Sequence, residues 1–233
     1  MDFFLYFCGT MRKNILLSIL LLALGTSHVS GEEWSRRLME AYLHNDMGVW
    51  KTHIDSASAL PYEYGYCAAL LDSDKEAAKP YVALFRQHTE KQKGRLADGH
   101  YEMYMSAVYV YELRLHESFH PVQSLHLARE AVKKAPDDPL TLTYCGMALF
   151  YAPKPFGNKK EALQLFLRAE QAFAGQEWYN CWWRAAAMMY IAQCYAKQGD
   201  TDEAIRRCEA LLNEYPDYAY IRDTYLPALR SVE

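Results

Sequence analysis

Residues 185–218 read AAAMMYIAQCYAKQGDTDEAIRRCEALLNEYPDY, and this stretch decides the fold. Apolar and small residues recur at helical spacing as far as Lys197, and Gly199-Asp200 then break the pattern. Ala192 is the small residue where two helices would cross, and Tyr195 packs three residues further on. After the turn, Ala204 supplies the small contact of a second helix, and Pro216 stops that helix. The stretch is one helix–turn–helix unit of 34 residues. Such a unit cannot bury its apolar face alone and needs stacked neighbours.

Period and filled positions together resemble the tetratricopeptide repeat (TPR). Weaker copies lie on its N-terminal side. Residues 140–173 place Gly146 at the crossing position, then Ala162, Phe166 and Ala169 on a second helix from Lys159 to Phe173. The unit before it starts at Tyr101, with Ala107 at the crossing position. Its second helix runs from Val122 to Ala135, carries Ala128 and Ala131, and ends at Pro136. Residues 58–91 form a fainter copy with Gly65 at the crossing, Ala77 as the small contact and Tyr81 and Leu84 at the later positions. Pro80 falls in the first turns of that second helix, and residues 92–99 read as a polar linker. Crossing residue and later apolar residue stand 19 apart for Gly65–Leu84 and Ala192–Leu211, 24 for Ala107–Ala131 and 23 for Gly146–Ala169. The two central units therefore carry inter-helix insertions of four or five residues.

At the two ends the pattern is atypical, as expected where one side of a stack faces solvent. Glu33 to His44 is amphipathic, Asn45-Asp46 turns the chain, and a second helix holds Met47, Trp50 and Ile54. Asn180 can cap the helix opening at Cys181-Trp182-Trp183. Tyr218 to Arg230 reads as a capping helix kinked or ended by Pro227. The expected fold is all-α, a TPR-like right-handed superhelix of about five helix pairs with a C-terminal capping helix, over residues 32–233.

Residues 1–31 read as an export signal. Met11-Arg12-Lys13 is a basic start, Ile15 to Leu24 an apolar core, and Val29-Ser30-Gly31 a small-residue cleavage site before Glu32. The natural start is read at Met11, with an uncleaved anchor as the alternative. The apolar run is too short for a comfortable span, so no stable membrane span is expected after cleavage. The mature chain is similar to a family of small exported TPR-like proteins of Gram-negative bacteria that has no assigned activity. Carrying that likeness are Asn45-Asp46-Met47-x-x-Trp50-Lys51, Pro153-x-Pro155-Phe156-Gly157, and Tyr215-Pro216-Asp217 followed by Tyr225-Leu226-Pro227. The likeness implies a helical-repeat fold and an exported, periplasmic or secreted location, and no mechanism.

The formal charge of −4 and the absence of a basic run interleaved with aromatics argue against nucleic acid. Beyond the signal stand Cys67, Cys145, Cys181, Cys194 and Cys208, an odd number in apolar helical contexts. They read as small core residues, with Cys194 and Cys208 the best placed pair for a disulfide. No C-x-x-C spacing occurs.

His116-Glu117-Ser118-Phe119-His120, with His126 further on, comes near the HExxHxxGxxH pattern of metzincin-type zinc peptidases. That chemistry needs two His on one helical face, a Glu to activate water, and a Gly that turns toward the third His. Gln123 stands where the Gly belongs, and Pro121 pushes His120 out of helical geometry. Catalysis and cofactors are therefore not expected. His116, His120 and His126 are kept as weak metal candidates, and an envelope zinc hydrolase as the alternative function.

The leading functional candidate is the concave wall lined by the first helix of each pair. Counting from the crossing residue, that wall takes Tyr101, Tyr104, Val108 and Tyr111 from one unit. The next supplies Thr143, Met147, Phe150 and Tyr151, and the last Met189, Gln193 and Lys197. Met and Tyr form adaptable surfaces for an apolar peptide or helix. The expected function is a non-catalytic protein- or peptide-binding scaffold of the cell envelope. A further reading is a structural subunit of an envelope complex whose groove is filled by its own chain.

Overall fold

The computed structural model describes residues 31–44, 46–56, 60–116, 121–174 and 182–231. Apart from Gly31, the expected export signal lies outside the described residues, as do Asn45, Asn180 and Cys181. The chain divides into two units, Met1–Trp34 and Ser35–Glu233.

The helices are α1 (Gly31–His44), α2 (Met47–Ser56), α3 (Leu60–Ser73), α4 (Lys75–Lys91), α5 (His100–Arg114) and α6 (Pro121–Lys134). They continue as α7 (Pro139–Tyr151), α8 (Lys159–Phe173), α9 (Trp182–Gln198), α10 (Thr201–Glu214) and, after a π turn at Ile221–Tyr225, α11 (Leu226–Arg230). The fold is all-α and TPR-like. Consecutive helices from α2 to α8 pack on each other, as do α8 with α9 and α9 with α10. The first helices of successive pairs also touch, α3 with α5, α5 with α7, and α7 with α9, so they form one layer and their partners a second. No helix among the described residues is long and apolar enough to cross a membrane.

Local chemistry sets the helix starts. Asp74, Asp138, Asn158 and Asp200 each place a side-chain oxygen on a backbone N–H of the first turn of α4, α7, α8 and α10. Pro139 follows its cap directly, where its missing N–H has least effect. Gly199, at φ 87°, ends α9 in the left-handed conformation that other residues enter at a cost. The C-terminal segment widens into a π turn, in which the Leu226 N–H reaches the Ile221 carbonyl. Pro227 comes next, and in a regular helix its ring would collide with a carbonyl one turn back. The expected capping helix thus forms and absorbs its proline by widening.

The repeat phasing locates the core in three of the four units. Ala107, Ala128, Ala131, Ala162, Phe166, Ala169, Ala192, Ala204 and Leu211 are fully buried. A Cβ on Gly146 would stand 2.7 Å from the Phe166 ring, so the crossing there needs a hydrogen. The faint unit 58–91 needs correction. In α4 the buried stripe is Ala78, Val82, Phe85 and Thr89, one residue later than the expected Ala77, Tyr81 and Leu84. Leu84 is 44% exposed. Phe85 wins the inward position because its ring packs edge-on against Tyr64 and Tyr104. Gly65, read as a helix-crossing residue, instead clears room for the Trp50 and Trp182 rings.

The Cys194–Cys208 disulfide is not formed: Cys67, Cys145, Cys194 and Cys208 are buried free thiols. Burial pushes the Cys145 and Cys194 thiols up to about 12 and that of Cys208 up to about 11. These are inert packing groups.

Candidate functional site: an aromatic inner face

In an open array each repeat touches only its neighbours. Here the inner layer closes on itself around α9. Trp182 packs against Tyr42 of α1 at 5.4 Å and Trp50 of α2 at 5.7 Å, and Trp183 stacks on Tyr64 of α3 at 4.8 Å. Tyr64 also meets Tyr111 of α5 at 5.7 Å and Tyr144 of α7 at 5.9 Å. Its ring is the point where four inner helices converge. At the far end of the sequence, the Tyr218 hydroxyl lies 2.7 Å from that of Tyr42, and Tyr218 also donates to the Met189 sulfur at 3.2 Å. The segment after α10 is thereby fixed to α1 and α9.

Among the described residues this face holds two neighbouring hollows, and Tyr64, Met147 and Tyr190 line both. One, of about 580 Å³, lies among α1, α3, α9 and the C-terminal segment. The other, of about 470 Å³, lies among α3, α5, α7 and the loop after α7. Both fall in the size range of ligand cavities. The loop presents Pro153 and Phe156 to the second hollow, and Phe156 is 49% exposed. Opposite them, the Tyr151 hydroxyl sits 3.1 Å from that of Tyr190. Burial pushes the phenols of Tyr42, Tyr64, Tyr111 and Tyr190 well above their ordinary value. They stay un-ionised and act as aromatic faces with hydrogen-bonding tips.

Of the positions expected from the repeat phasing, Tyr111, Met147, Tyr151 and Met189 line these hollows. Tyr104, Val108 and Thr143 do not: each is buried to 2% exposure or less. Tyr104 packs on Phe85, and the Thr143 hydroxyl turns back to donate to the Pro139 carbonyl at 2.7 Å. The physical reason is the closure itself, since the first helices pack on each other and convert inward positions into core. Phe150 is nearly covered, its ring against Tyr190 and beneath Lys159. Tyr101 lies under Lys93 at the edge, Gln193 is bonded to Tyr220, and Lys197 faces solvent. The phasing missed Tyr42, Tyr64, Trp182, Tyr190 and Tyr218. Only the aromatic pair Trp182-Trp183 opening the last repeat stood out in the sequence.

The histidine motif forms no helical site from α5. That helix ends at Arg114, and His116 follows at φ 60°, which turns the chain away from helical geometry. His120 lies outside the described residues, and His126 is exposed on α6. Among the described residues, no group of three or more His, Cys, Asp or Glu is placed to hold a metal.

The tetratricopeptide repeat family model matches residues 186–218. The match covers α9 from Ala186 onward, α10 and the turn into the C-terminal segment, nearly the whole stretch from which the repeat phasing was read. No curated protein matches the chain. Repeats of this kind are scaffolds for protein partners, and the helical fold supports that general role.

Proposed function

We propose that this protein is an exported, non-catalytic scaffold of the cell envelope that holds a protein or peptide segment against its aromatic inner face. The observation that carries this reading is the hollow beside the loop after α7. Its rim exposes Tyr151 at 65% and Phe156 at 49%, large rings that a folded chain normally covers. Aromatic groups with few rotors to freeze make effective binding anchors. The basic start, apolar run and small-residue site of residues 11–31 support export.

The test is capture of partners from envelope extracts on the immobilised protein and on a Tyr151→Ala, Phe156→Ala double variant. Loss of the captured proteins with the variant, at unchanged folding, is the expected result. Equal capture by both forms would refute this face as the binding surface. N-terminal sequencing of the exported form should begin near Glu32. A chain that keeps residues 14–24 would refute cleavage.

A second reading, a structural subunit of an envelope complex, is favoured by one observation. Trp182, Trp183 and Tyr218 fill part of the inner face from within the chain, which leaves less room for a foreign segment. It predicts a stoichiometric complex insensitive to the Tyr151 and Phe156 substitutions.

A further inference from the structure

Several side chains lining the smaller hollow carry hydroxyls, yet their hydrogens are spent within the wall. Between α5 and α6, Ser106 donates to the Ser124 carbonyl at 2.7 Å, and Ser124 donates back to the Ser106 carbonyl at 3.2 Å. With both serine hydrogens used, the Tyr144 hydroxyl of α7, 3.0 Å from Ser106 Oγ, is the donor of that contact. Tyr111 donates to the Tyr64 carbonyl at 2.9 Å, and Tyr64 to the Met147 sulfur at 3.9 Å. Tyr151 and Tyr190 share one hydrogen bond and so keep a single hydrogen between them. Asp72 and Arg114 answer each other, and the Asp72 side chain is 75% exposed, on the solvent side. The backbone is spent as well. The walls are helices, and the loop after α7 gives the N–H groups of Phe156 and Gly157 to the Pro153 carbonyl and that of Asn158 to the Leu149 carbonyl. What remains toward the cavity is carbon, from Val110, Leu113, Leu125, Ala148, Pro153 and Phe156.

We propose that the smaller hollow seats apolar side chains from one face of an amphipathic helix of the partner. This rests on the reading that the inner face holds a protein segment, and it adds the side chains recognised and the conformation of the segment. An apolar guest leaves water and needs no bond in return. A polar or charged guest leaves water and finds its possible partners already engaged, which costs binding. The backbone of the guest is under the same constraint. An extended segment adds to an open sheet edge, and helical walls have none. A helix bonds its own backbone and brings only side chains to the cavity. The volume of about 470 Å³ is that of a ligand cavity. The exposed rings of Tyr151 and Phe156 extend its apolar surface at the rim. Burial holds the Tyr64 and Tyr111 phenols un-ionised, so they add no charge to the wall.

The experiment uses capped peptides of one helix-forming sequence with Leu, Asn or Lys at the same two positions, one helical turn apart. A further peptide carries the Leu pair with a proline between them. Binding to the full chain is read by titration calorimetry at several temperatures. The expected result is that the Leu peptide binds about tenfold more tightly than the Asn peptide, which is close to it in size, and than the Lys peptide. Its binding should show the negative heat-capacity change of apolar burial. The proline peptide should bind about tenfold more weakly than the Leu peptide, because its helix is broken. Ala148→Phe and Ala152→Leu each add carbon to the hollow, and each should weaken the Leu peptide about tenfold at unchanged melting. Asn or Lys peptides binding as tightly as the Leu peptide would overturn the proposal, as would equal binding of the proline peptide or no binding by any peptide. A Leu preference left intact in either folded variant would overturn it too, since the peptide would then sit elsewhere. The scaffold reading is tested separately, by capture from envelope extracts that depends on Tyr151 and Phe156, and such capture can persist through each of these failures.

Discussion

Replacing Tyr104 and Tyr151 by alanine, one at a time, separates core from binding wall within two residues that the repeat phasing treats alike. Tyr104 is 2% exposed and packs edge-on to Phe85 at 5.9 Å. Truncating a buried aromatic leaves a cavity and costs roughly 3–5 kcal/mol. For a unit of this size, 1 kcal/mol shifts the melting midpoint by about 2–4 °C, so Tyr104→Ala should lower it by roughly 6–20 °C. Tyr151 is 65% exposed; its hydroxyl meets that of Tyr190, and its ring packs edge-on with Phe150 and Tyr190. Its removal should cost less than about 1 kcal/mol, a shift of a few degrees at most. The assay is thermal unfolding followed by circular dichroism, paired with partner capture by each variant. Tyr151→Ala should melt close to the parent and lose capture. A melting shift for Tyr151→Ala as large as that for Tyr104→Ala would refute the reasoning, since Tyr151 would then be part of the core.

Ala192→Leu should destabilise the last repeat by about 1–3 kcal/mol, because Ala192 is fully buried where α9 crosses its neighbours; an unchanged melting midpoint would show that the phasing fails there. The Asp138 carboxyl, which caps α7 and faces His100 at 3.2 Å, is pushed up by burial but drawn down further by His100 and the Thr141 N–H, so its folded value lies below the ordinary one. Its stabilisation is therefore complete above about pH 4 and lost as pH falls through the lower folded value, so Asp138→Asn should show a shallower loss of stability below pH 4 in acid titrations of the melting midpoint. Brief iodoacetamide treatment of the native protein at pH 8, read by peptide mass mapping, should leave Cys67, Cys145, Cys194 and Cys208 unmodified and reveal no Cys194–Cys208 bridge, whereas the denatured chain should label at all four.

The sequence by itself determined the helical class, the phasing of the strong repeats and most helix limits. These are local properties. Asx residues cap helices through bonds to their own first turn, Gly199 ends α9 by its own backbone freedom, and small residues at the period of the repeat mark where helices touch. Lys159–Phe173 could be placed from the sequence because its cap, its apolar spacing and its flanking loop all agree. In residues 58–91 those signals are weak. There Ala77 and Ala78 are equally small and Leu84 and Phe85 equally apolar, and only the rings of Tyr64 and Tyr104 settle which one turns inward.

Only the tertiary structure decided the candidate site. Repeat positions specify which side chains point toward the inner face, but how tightly the array curls fixes whether that face is groove or core. The curl is set by contacts between residues far apart in the chain, Tyr42 with Tyr218 and Tyr64 with Trp183, which no local period encodes. Closure buried Tyr104, Val108 and Thr143, left Tyr151 and Phe156 in the open, and brought α3 and the C-terminal segment to one aromatic hollow. Helix pattern is governed by backbone geometry over a few residues, whereas the shape of a cavity depends on the packing of large side chains across the whole array.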